Sequence, residues 1–215
     1  MAIAAFFDVD HTIIEGNASR LFGKYFYKLG LLTKWQLFKA SYLNLLHRLN
    51  LMDEEAILNV ILKLFKRWDT KFVEECCEKA FELIVEKRIS SRVAEHMRFH
   101  QAQGHYIILS TAMPEPLAIQ FQKYFHTEGL ICTILKKSKG NFTGDVQLLN
   151  FGTHKKQPLL KYAKKHKLNL KKSYFYADSM SDKEAMELVG KPIAVNPDKK
   201  LRAHAKKHGW EIIKH

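Results

Sequence analysis

Short apolar runs recur along the chain and are separated by stretches in which apolar residues repeat at helical spacing. Five runs of four or five residues stand out, at positions 3–7, 106–109, 174–177, 192–195 and 210–213. Continuous rather than alternating hydrophobicity is typical of strands buried on both faces, as in a parallel sheet covered by helices. The pattern therefore predicts an α/β fold with a Rossmann-like parallel sheet.

The long segment after the first run has a helical pattern instead. Between residues 17 and 91, Leu, Phe, Lys and Glu recur at helical spacing, most clearly in residues 54–65, for which Asp53 is the expected N-cap. We interpret this segment as an inserted helical cap domain. The predicted organisation is a catalytic core of residues 1–16 and 92–215 with a cap of residues 17–91.

A second, shorter insertion is expected at residues 129–152. The pairs Gly140-Asn141 and Thr143-Gly144 are turn signals between apolar stretches. This combination predicts a β-hairpin before the chain returns to the core.

Polar side chains follow three of the predicted strands. They are, in chain order, Asp8 with Asp10, Ser110 with Thr111, and Asp178 with Asp182. Because ligands of parallel sheets bind at the carboxyl ends of the strands, we expect these side chains to form one site. Carboxylate oxygens are hard ligands of the kind that suits Mg²⁺.

Each of these groups, taken alone, has an ordinary structural explanation. Two aspartates after a strand can form an Asx turn that caps the next helix, and a Ser-Thr pair can be a helix N-cap. Lys155 and Lys156 precede an amphipathic helix and could neutralise a transferring phosphoryl group. Paired lysines at a solvated helix start are nevertheless common in a basic chain. Only the shared placement at strand ends favours a functional site.

Composition narrows the partners and the compartment. The net charge of +13 in 215 residues favours an anionic partner, whether a phosphorylated small molecule, an anionic lipid or a nucleic acid. The cysteines Cys76, Cys77 and Cys132 have neither zinc-site spacing nor a disulfide framework, so a cytoplasmic protein is expected. Asp8 and Asp10 interrupt the first apolar run, unlike a signal peptide. No apolar stretch reaches the about 20 residues of a spanning helix, so the chain is not expected to cross a membrane.

The order of the motifs over nearly the whole chain resembles the haloacid dehalogenase superfamily, in particular its phosphoserine phosphatase-like phosphatases. The resemblance implies a phosphatase in which Asp8 attacks phosphorus, and Asp10 protonates the leaving oxygen and then activates water. It also implies that Ser110 and the following backbone at Thr111 bind a phosphate oxygen, while Thr12 supports the loop.

The resemblance also implies the metal ligands and the lysine. Mg²⁺ would be bound by Asp8, the backbone carbonyl of Asp10, and Asp178, with Asp182 orienting these ligands or contacting the lysine. Family members have a leucine four residues after the lysine and an aromatic or aliphatic residue seven residues after it. Leu159 and Tyr162 match this pattern for Lys155, which is therefore favoured over Lys156.

The predicted cap is unusually rich in aromatic and basic residues, notably at positions 21–28 and 35–46. Such helices usually pack against one another and the core. The alternative is a cap that meets a membrane surface or binds a lipid phosphate. The basic residues 161–172 are expected to be a solvated helix face and not a nucleic-acid site, because no recognition fold surrounds them.

The sequence thus predicts a phosphatase of undetermined phosphomonoester substrate. Phosphoserine phosphatases usually carry a glutamate nine residues after the nucleophile, which recognises the amino group of the substrate; here that position is Asn17. The resemblance therefore does not extend to phosphoserine itself. Three alternatives stay open: a phosphatase specific for a lipid phosphate at the membrane surface, a phosphotransferase that passes the phosphoryl group to another acceptor, and a non-catalytic protein that binds anionic membranes.

Overall fold

The computed structural model describes residues 1–48 and 62–214. The strands within these residues are β1 Ala4–Phe7, β2 Tyr106–Pro114, β3 Gly129–Ser138, β4 Asn141–Leu148, β5 Tyr174–Ala177, β6 Lys191–Val195 and β7 Glu211–Ile213. They form one sheet in the order β4-β3-β2-β1-β5-β6-β7. Neighbouring strands are parallel except β3 and β4, which are antiparallel. The α/β fold with a parallel sheet that the apolar runs predict is confirmed.

Helices connect most of the strands. They are α1 Ala18–Lys28, α2 Lys34–Arg48, α3 Thr70–Ala80, α4 Ser91–Ala102, α5 Glu115–Phe125, α6 Lys156–Lys165, α7 Lys183–Met186 and α8 Lys199–His208. Short polar side chains fix several helix starts: Asn17, Asp69, Ser90 and Asp198 each accept a backbone N–H from the third residue after them. These bonds satisfy N–H groups that a helix start otherwise leaves without a partner.

The sheet is covered on both faces. Side chains of β1 alternate, so that Ala5 and Phe7 belong to one apolar cluster while Ala4 and Phe6 belong to another. The first cluster includes residues of α1, α3, α4 and α5, and the second includes residues of α6, α7 and α8. Burial on both sides is the reason that the strands read as continuous apolar runs.

The segment predicted as a cap is helical where it is described. Phe22 of α1 and Val73 of α3 share one apolar cluster with Phe7 of the sheet. Asp53 and most of the helix predicted over residues 54–65 lie outside the described residues. In the described part of this predicted helix, Lys63–Phe65 form a 3₁₀ turn. The division into residues 17–91 and the remainder stays a prediction.

Two predicted boundaries are wrong. The predicted hairpin is present as β3 and β4. Residues 129–152 are nevertheless not a separate insertion, because the first residues of β3 pair with β2 in the central sheet. β2 also continues to Pro114, so Ser110 and Thr111 lie within the strand and not after it. A register shift between Ser110 and Pro114 lets the strand bend without ending, and the local pattern does not reveal this.

The strand order locates a crevice beside β1. The chain moves from β1 outward to β2 and β3, and later returns to β5 on the other side of β1. Where the connections from two adjacent strands run in opposite directions, a gap forms at the carboxyl ends of those strands. Asp8 follows β1 and Asp178 follows β5, so both lie at this gap.

Cys76, Cys77 and Cys132 are free and buried. Among the described residues, none of the helices combines the length and the apolar character needed to span a membrane.

A buried histidine lies behind β1. His100 is fully buried, and its Nε2 is 2.8 Å from the Tyr176 hydroxyl while its Nδ1 is 2.9 Å from Nδ1 of His105. Burial lowers the pKa of His100 to about 4, and the neighbouring His105, His96 and Lys191 add to the shift. The neutral imidazole is therefore the form that the fold accommodates.

We expect this histidine to weaken the fold in acid. Between pH 6.5 and about 4 the unfolded chain takes up a proton at His100 that the folded chain does not, so the free energy of unfolding falls by up to about 3 kcal/mol. Urea unfolding across this pH range measures the slope. H100Q should give a shallower slope, whereas H208Q, at an exposed position in α8, should not. Equal slopes in wild type and H100Q would contradict the assignment.

Candidate active site

The chain turns sharply as it leaves β1. The N–H of Asp8 still donates to the Tyr176 carbonyl oxygen at 2.9 Å, which extends the strand pairing by one residue. His11 then adopts a left-handed backbone with φ 58°, and its N–H donates to the Gly16 carbonyl oxygen at 2.8 Å. Asp8 and Asp10 therefore do not continue as one extended strand.

The turn brings the Asp10 carboxylate to the start of α1. Its Oδ1 accepts the Ala18 N–H at 2.6 Å, and its Oδ2 accepts Nδ2 of Asn17 at 3.2 Å. Burial raises the pKa of Asp10 to about 7, and the negative charge of Asp8 adds to the shift while the N–H groups of Ala18 and Ser19 oppose it. Asp10 is thus a carboxyl group that can hold a proton near neutral pH.

Lys155 joins residues from three distant parts of the chain. Its Nζ is 2.7 Å from Oδ1 of Asp8 and 2.6 Å from Oδ1 of Asp182, and all three side chains are less than 10% exposed. Burial lowers the pKa of Lys155, but Asp182 and Asp8 outweigh it and raise that pKa above its ordinary value. Lys156 is instead 42% exposed, with its Nζ 3.7 Å from Glu184. Of the two lysines, only Lys155 contacts the aspartates.

Asp178 completes a cluster of carboxylates. One oxygen from each of Asp8, Asp178 and Asp182 lies within 4.8 Å of the others. Burial and the charges of Asp8 and Asp182 raise the pKa of Asp178 well above its ordinary value. Burial likewise raises the pKa of Asp182 to about 6, although Lys155 opposes the shift.

This donor set fits a divalent cation. Lys155 pairs with two of the three carboxylates, Asp8 and Asp182, which leaves negative charge in the cluster that a divalent cation would offset. Hard carboxylate oxygens are what Mg²⁺ binds in proteins. The side chain of Asp10 is not among the three, since its oxygens are bonded at the start of α1.

Two buried hydroxyls, one on the loop after β1 and one on β2, have no hydrogen-bond partner among the described residues. They are Oγ1 of Thr12 and Oγ of Ser110, and both residues are fully buried. The register of β1 and β2 brings Ser110 alongside Asp8, one step beyond the Phe7–Leu109 pair. Buried hydroxyls without a partner are rare, and at such a site they are available for a ligand oxygen.

Thr111 differs from its neighbour. Its Oγ1 accepts the Met113 N–H at 3.2 Å, and its carbonyl oxygen accepts Nδ2 of Asn150 at 2.9 Å. Asn150 is fully buried and also donates to the Ile131 carbonyl oxygen at 2.9 Å. The Thr111 hydroxyl is therefore used locally, so the role expected from the sequence falls to its backbone N–H.

Sequence reasoning missed two residues that hold the site together. Asn150 joins β2 to β3, and no periodic pattern marks it. Asp198 caps α8 and also accepts the Met180 N–H at 2.9 Å, while its own N–H donates to the Asp178 carbonyl oxygen at 2.8 Å. The N-cap signal of an aspartate before a helical segment could have found Asp198.

A cavity of about 460 Å³ lies next to the Asp10 loop. Its wall near the loop includes His11 and Asn17, and the latter donates to Asp10. Beyond them the lining is mostly apolar, with the rings of Phe22, Phe26, Phe65 and Trp68. The volume lies within the range of small-molecule sites.

Comparison with known proteins adds independent information. The sequence profile of the haloacid dehalogenase-like hydrolases matches residues 5–187. A phosphoserine phosphatase of Mycobacterium tuberculosis (strain ATCC 25618 / H37Rv) is 30% identical over 220 residues, which cover 99% of this chain and 70% of that protein. A histidinol-phosphatase of Neisseria meningitidis serogroup C (strain 8013) is 27% identical over 228 residues, covering 97% of each chain. The crystal structure of a protein of unknown function from Bordetella pertussis Tohama I has the same fold, with a TM-score of 0.90, 23% identity, and coverage of 99% of this chain and 98% of that one.

Proposed function

Since the chain belongs to the haloacid dehalogenase-like hydrolases and is a phosphatase, we propose that it hydrolyses a phosphomonoester through an aspartyl-phosphate formed on Asp8. The observation that carries the proposal is the buried pairing of Asp8 with Lys155 inside the cluster of Asp178 and Asp182. A carboxylate nucleophile, a fixed cation and a metal site are the groups that phosphoryl transfer needs.

The contacts support one role for each residue in the proposed reaction. A carboxylate oxygen of Asp8 bonds to phosphorus as the bond to the leaving-group oxygen breaks, and Asp10 gives that oxygen a proton. Asp10 then takes a proton from water as the water oxygen attacks the same phosphorus, which releases inorganic phosphate and restores Asp8. The Asp10 pKa of about 7 supports both steps, because the group can hold and release a proton near neutral pH.

The other residues bind and orient the phosphate. Lys155 holds the Asp8 carboxylate in place and supplies positive charge to the phosphoryl oxygens. The Ser110 hydroxyl and the Thr111 N–H donate to a phosphate oxygen, and the Thr12 N–H, which donates to the Val9 carbonyl oxygen at 3.2 Å, supports the loop. Asp8, the Asp10 carbonyl oxygen and Asp178 would hold Mg²⁺, which when bound would supply positive charge to offset that of the phosphate and of the anionic nucleophile. Asp182 contacts Lys155 and fixes its position.

We expect Mg²⁺ to bind the folded protein and to switch on hydrolysis. At a Mg²⁺ concentration about 100 times the dissociation constant, binding contributes about 2.7 kcal/mol, which raises the melting temperature by roughly 5 to 10 °C. Calorimetry with EDTA and with Mg²⁺ measures the shift, and release of p-nitrophenol from p-nitrophenyl phosphate measures activity. D178N should lose both effects, while D145N, at an exposed position in β4, should retain them. Hydrolysis that persists in EDTA would reject the metal requirement.

A phosphotransferase shares every one of these residues and differs only in the acceptor. Product analysis with a competing alcohol separates the two activities, since a transferase forms a new phosphate ester and a phosphatase forms inorganic phosphate. Hydrolysis is favoured here, because the matched relatives are named phosphatases.

A second candidate function is hydrolysis of a lipid phosphate at a membrane surface. The rings of Trp35, Phe38 and Tyr42 stack in a row along α2 and are 70%, 60% and 50% exposed. Lys34 and Lys39 lie on the same helix and are exposed. Exposed aromatic rings beside lysines are typical of helices that lie in an anionic membrane surface.

This candidate predicts binding that depends on lipid charge. The protein should sediment with vesicles of phosphatidylglycerol and phosphatidylcholine, and much less with phosphatidylcholine alone. The double variant W35S/F38S should bind severalfold more weakly, whereas F72S, which removes an exposed ring from α3, should not. Equal sedimentation with the two kinds of vesicle, and for wild type, W35S/F38S and F72S, would exclude this candidate.

The remaining alternative, a non-catalytic membrane-binding protein, has no support, because the buried ion pairs expected of a catalytic site are intact.

A further inference from the structure

The cavity beside Asp10 lies where the leaving group of the substrate must extend. In the proposed function, Asp10 gives its proton to the leaving-group oxygen, so the rest of that group begins next to Asp10. Asn17 donates to Asp10 at 3.2 Å and also lines the cavity, and His11 adjoins Asp10 in the chain and lines it too. A substrate bound for attack by Asp8 therefore directs its leaving group into this space.

The residues that the structure describes in the lining are mostly apolar, and none of them carries negative charge. Four aromatic rings and the side chains of Leu37 and Leu64 form much of the wall. The charged or titratable side chains that the described lining contributes are His11 and Arg20, and none is aspartate or glutamate. An ammonium group placed against these described residues would lose its hydration without gaining a carboxylate partner among them.

Gly23 belongs to the lining at the place where α1 approaches Leu37 of α2. It lies in the middle of α1, where glycine is about 0.5–1 kcal/mol less favourable than alanine. A Cβ atom at Gly23 would lie 3.1 Å from Cδ2 of Leu37, another residue of the lining. A larger side chain at position 23 would therefore crowd Leu37 and reduce the space within the lining.

From this lining we infer that the substrate is a phosphate monoester of an apolar alcohol that carries no ammonium group. The inference rests on the proposed function and goes beyond it by naming the class of leaving group. It distinguishes this chain from an enzyme for phosphoserine or for another amino-alcohol phosphate, whose ammonium group needs an acidic partner.

The test compares matched substrates with Mg²⁺ present. For linear alkyl phosphates from ethyl to octyl, kcat/KM should rise about fourfold for each added methylene until the cavity is filled. Propyl phosphate should exceed 2-aminoethyl phosphate, which has the same number of heavy atoms in the chain, by at least tenfold. p-Nitrophenyl phosphate serves as the general phosphatase substrate.

Variants of the lining should change the preference in defined directions. G23L should reduce the rise in kcat/KM for each added methylene. G23A should reduce it less, and this variant is expected to fold because alanine favours a helix. Q36E places a carboxylate in the lining and preserves the capping interaction of Gln36 with Thr33, because glutamate serves equally there. Q36E should lower the ratio of kcat/KM for propyl phosphate to kcat/KM for 2-aminoethyl phosphate by threefold or more. Q101E, which adds the same charge at an exposed position in α4, should leave the preference unchanged.

The outcomes separate the inference from the proposed function. Hydrolysis of p-nitrophenyl phosphate with no chain-length dependence, or with equal use of 2-aminoethyl phosphate, overturns the inference and leaves the phosphatase intact. Failure of wild type to hydrolyse any of these esters overturns the proposed function and the inference with it.

Discussion

Replacing Asp8 with asparagine is expected to lower the rate of phosphate release by at least about 10⁴-fold, the scale on which loss of a nucleophile acts. The amide has the shape of the carboxylate but lacks the charge and the lone-pair basicity needed to attack phosphorus. The fold should survive, because Lys155 keeps its contact with Asp182 at 2.6 Å and the variant removes one charge from a cluster of mutually repelling carboxylates.

The measurement is Mg²⁺-dependent hydrolysis of p-nitrophenyl phosphate, with circular dichroism to establish folding. D69N is the matched control: Asp69 caps α3 by accepting the Phe72 N–H at 2.8 Å, and asparagine caps a helix equally well. D69N should keep full activity. A folded D8N protein that retains wild-type turnover would refute Asp8 as the nucleophile and, with it, the proposed mechanism.

Replacing Lys155 with methionine should damage both activity and stability. Lys155 is 3% exposed and pairs with two buried carboxylates, so its loss leaves Asp8 and Asp182 without a cation. Breaking a buried ion pair in this way costs about 3–5 kcal/mol, which for a chain of this size lowers the melting temperature by roughly 6 to 20 °C. Activity should fall by about 10²–10³-fold, since positive charge at the phosphoryl oxygens is lost.

The neighbouring lysine supplies the control. K156M changes an exposed side chain whose contact with Glu184 is 3.7 Å, and exposed ion pairs contribute about 0–1 kcal/mol. Melting in EDTA and hydrolysis with Mg²⁺ should therefore be near wild type for K156M and much reduced for K155M. Larger effects of K156M than of K155M, or equal effects of the two variants, would refute the assignment of Lys155 as the phosphate-contacting lysine.

The sequence alone predicted the class of fold and the parts of the site that have local signatures. Apolar runs identified β1, β5, β6 and β7 to within one or two residues, because strands buried on both faces need continuous hydrophobicity. Polar residues at their ends indicated the site, because parallel strands of a sheet end at one edge. Local signals do not reveal register or bends, which explains the misplaced end of β2 and the missed pairing of β3 with the central sheet.

Other features of the site were decided by tertiary structure. Asp8 and Lys155 are 147 positions apart, and only packing brings Nζ within 2.7 Å of the carboxylate. Asn150 and the apolar cavity beside Asp10 likewise have no marker in the sequence pattern. The physical reason is the range of the interactions. Hydrophobic periodicity and helix capping depend on residues a few positions apart, so the neighbouring side chains in the sequence reveal them. Burial, pKa shifts and cavity shape instead arise from groups that are distant in the chain and meet only when the sheet and its helices have assembled.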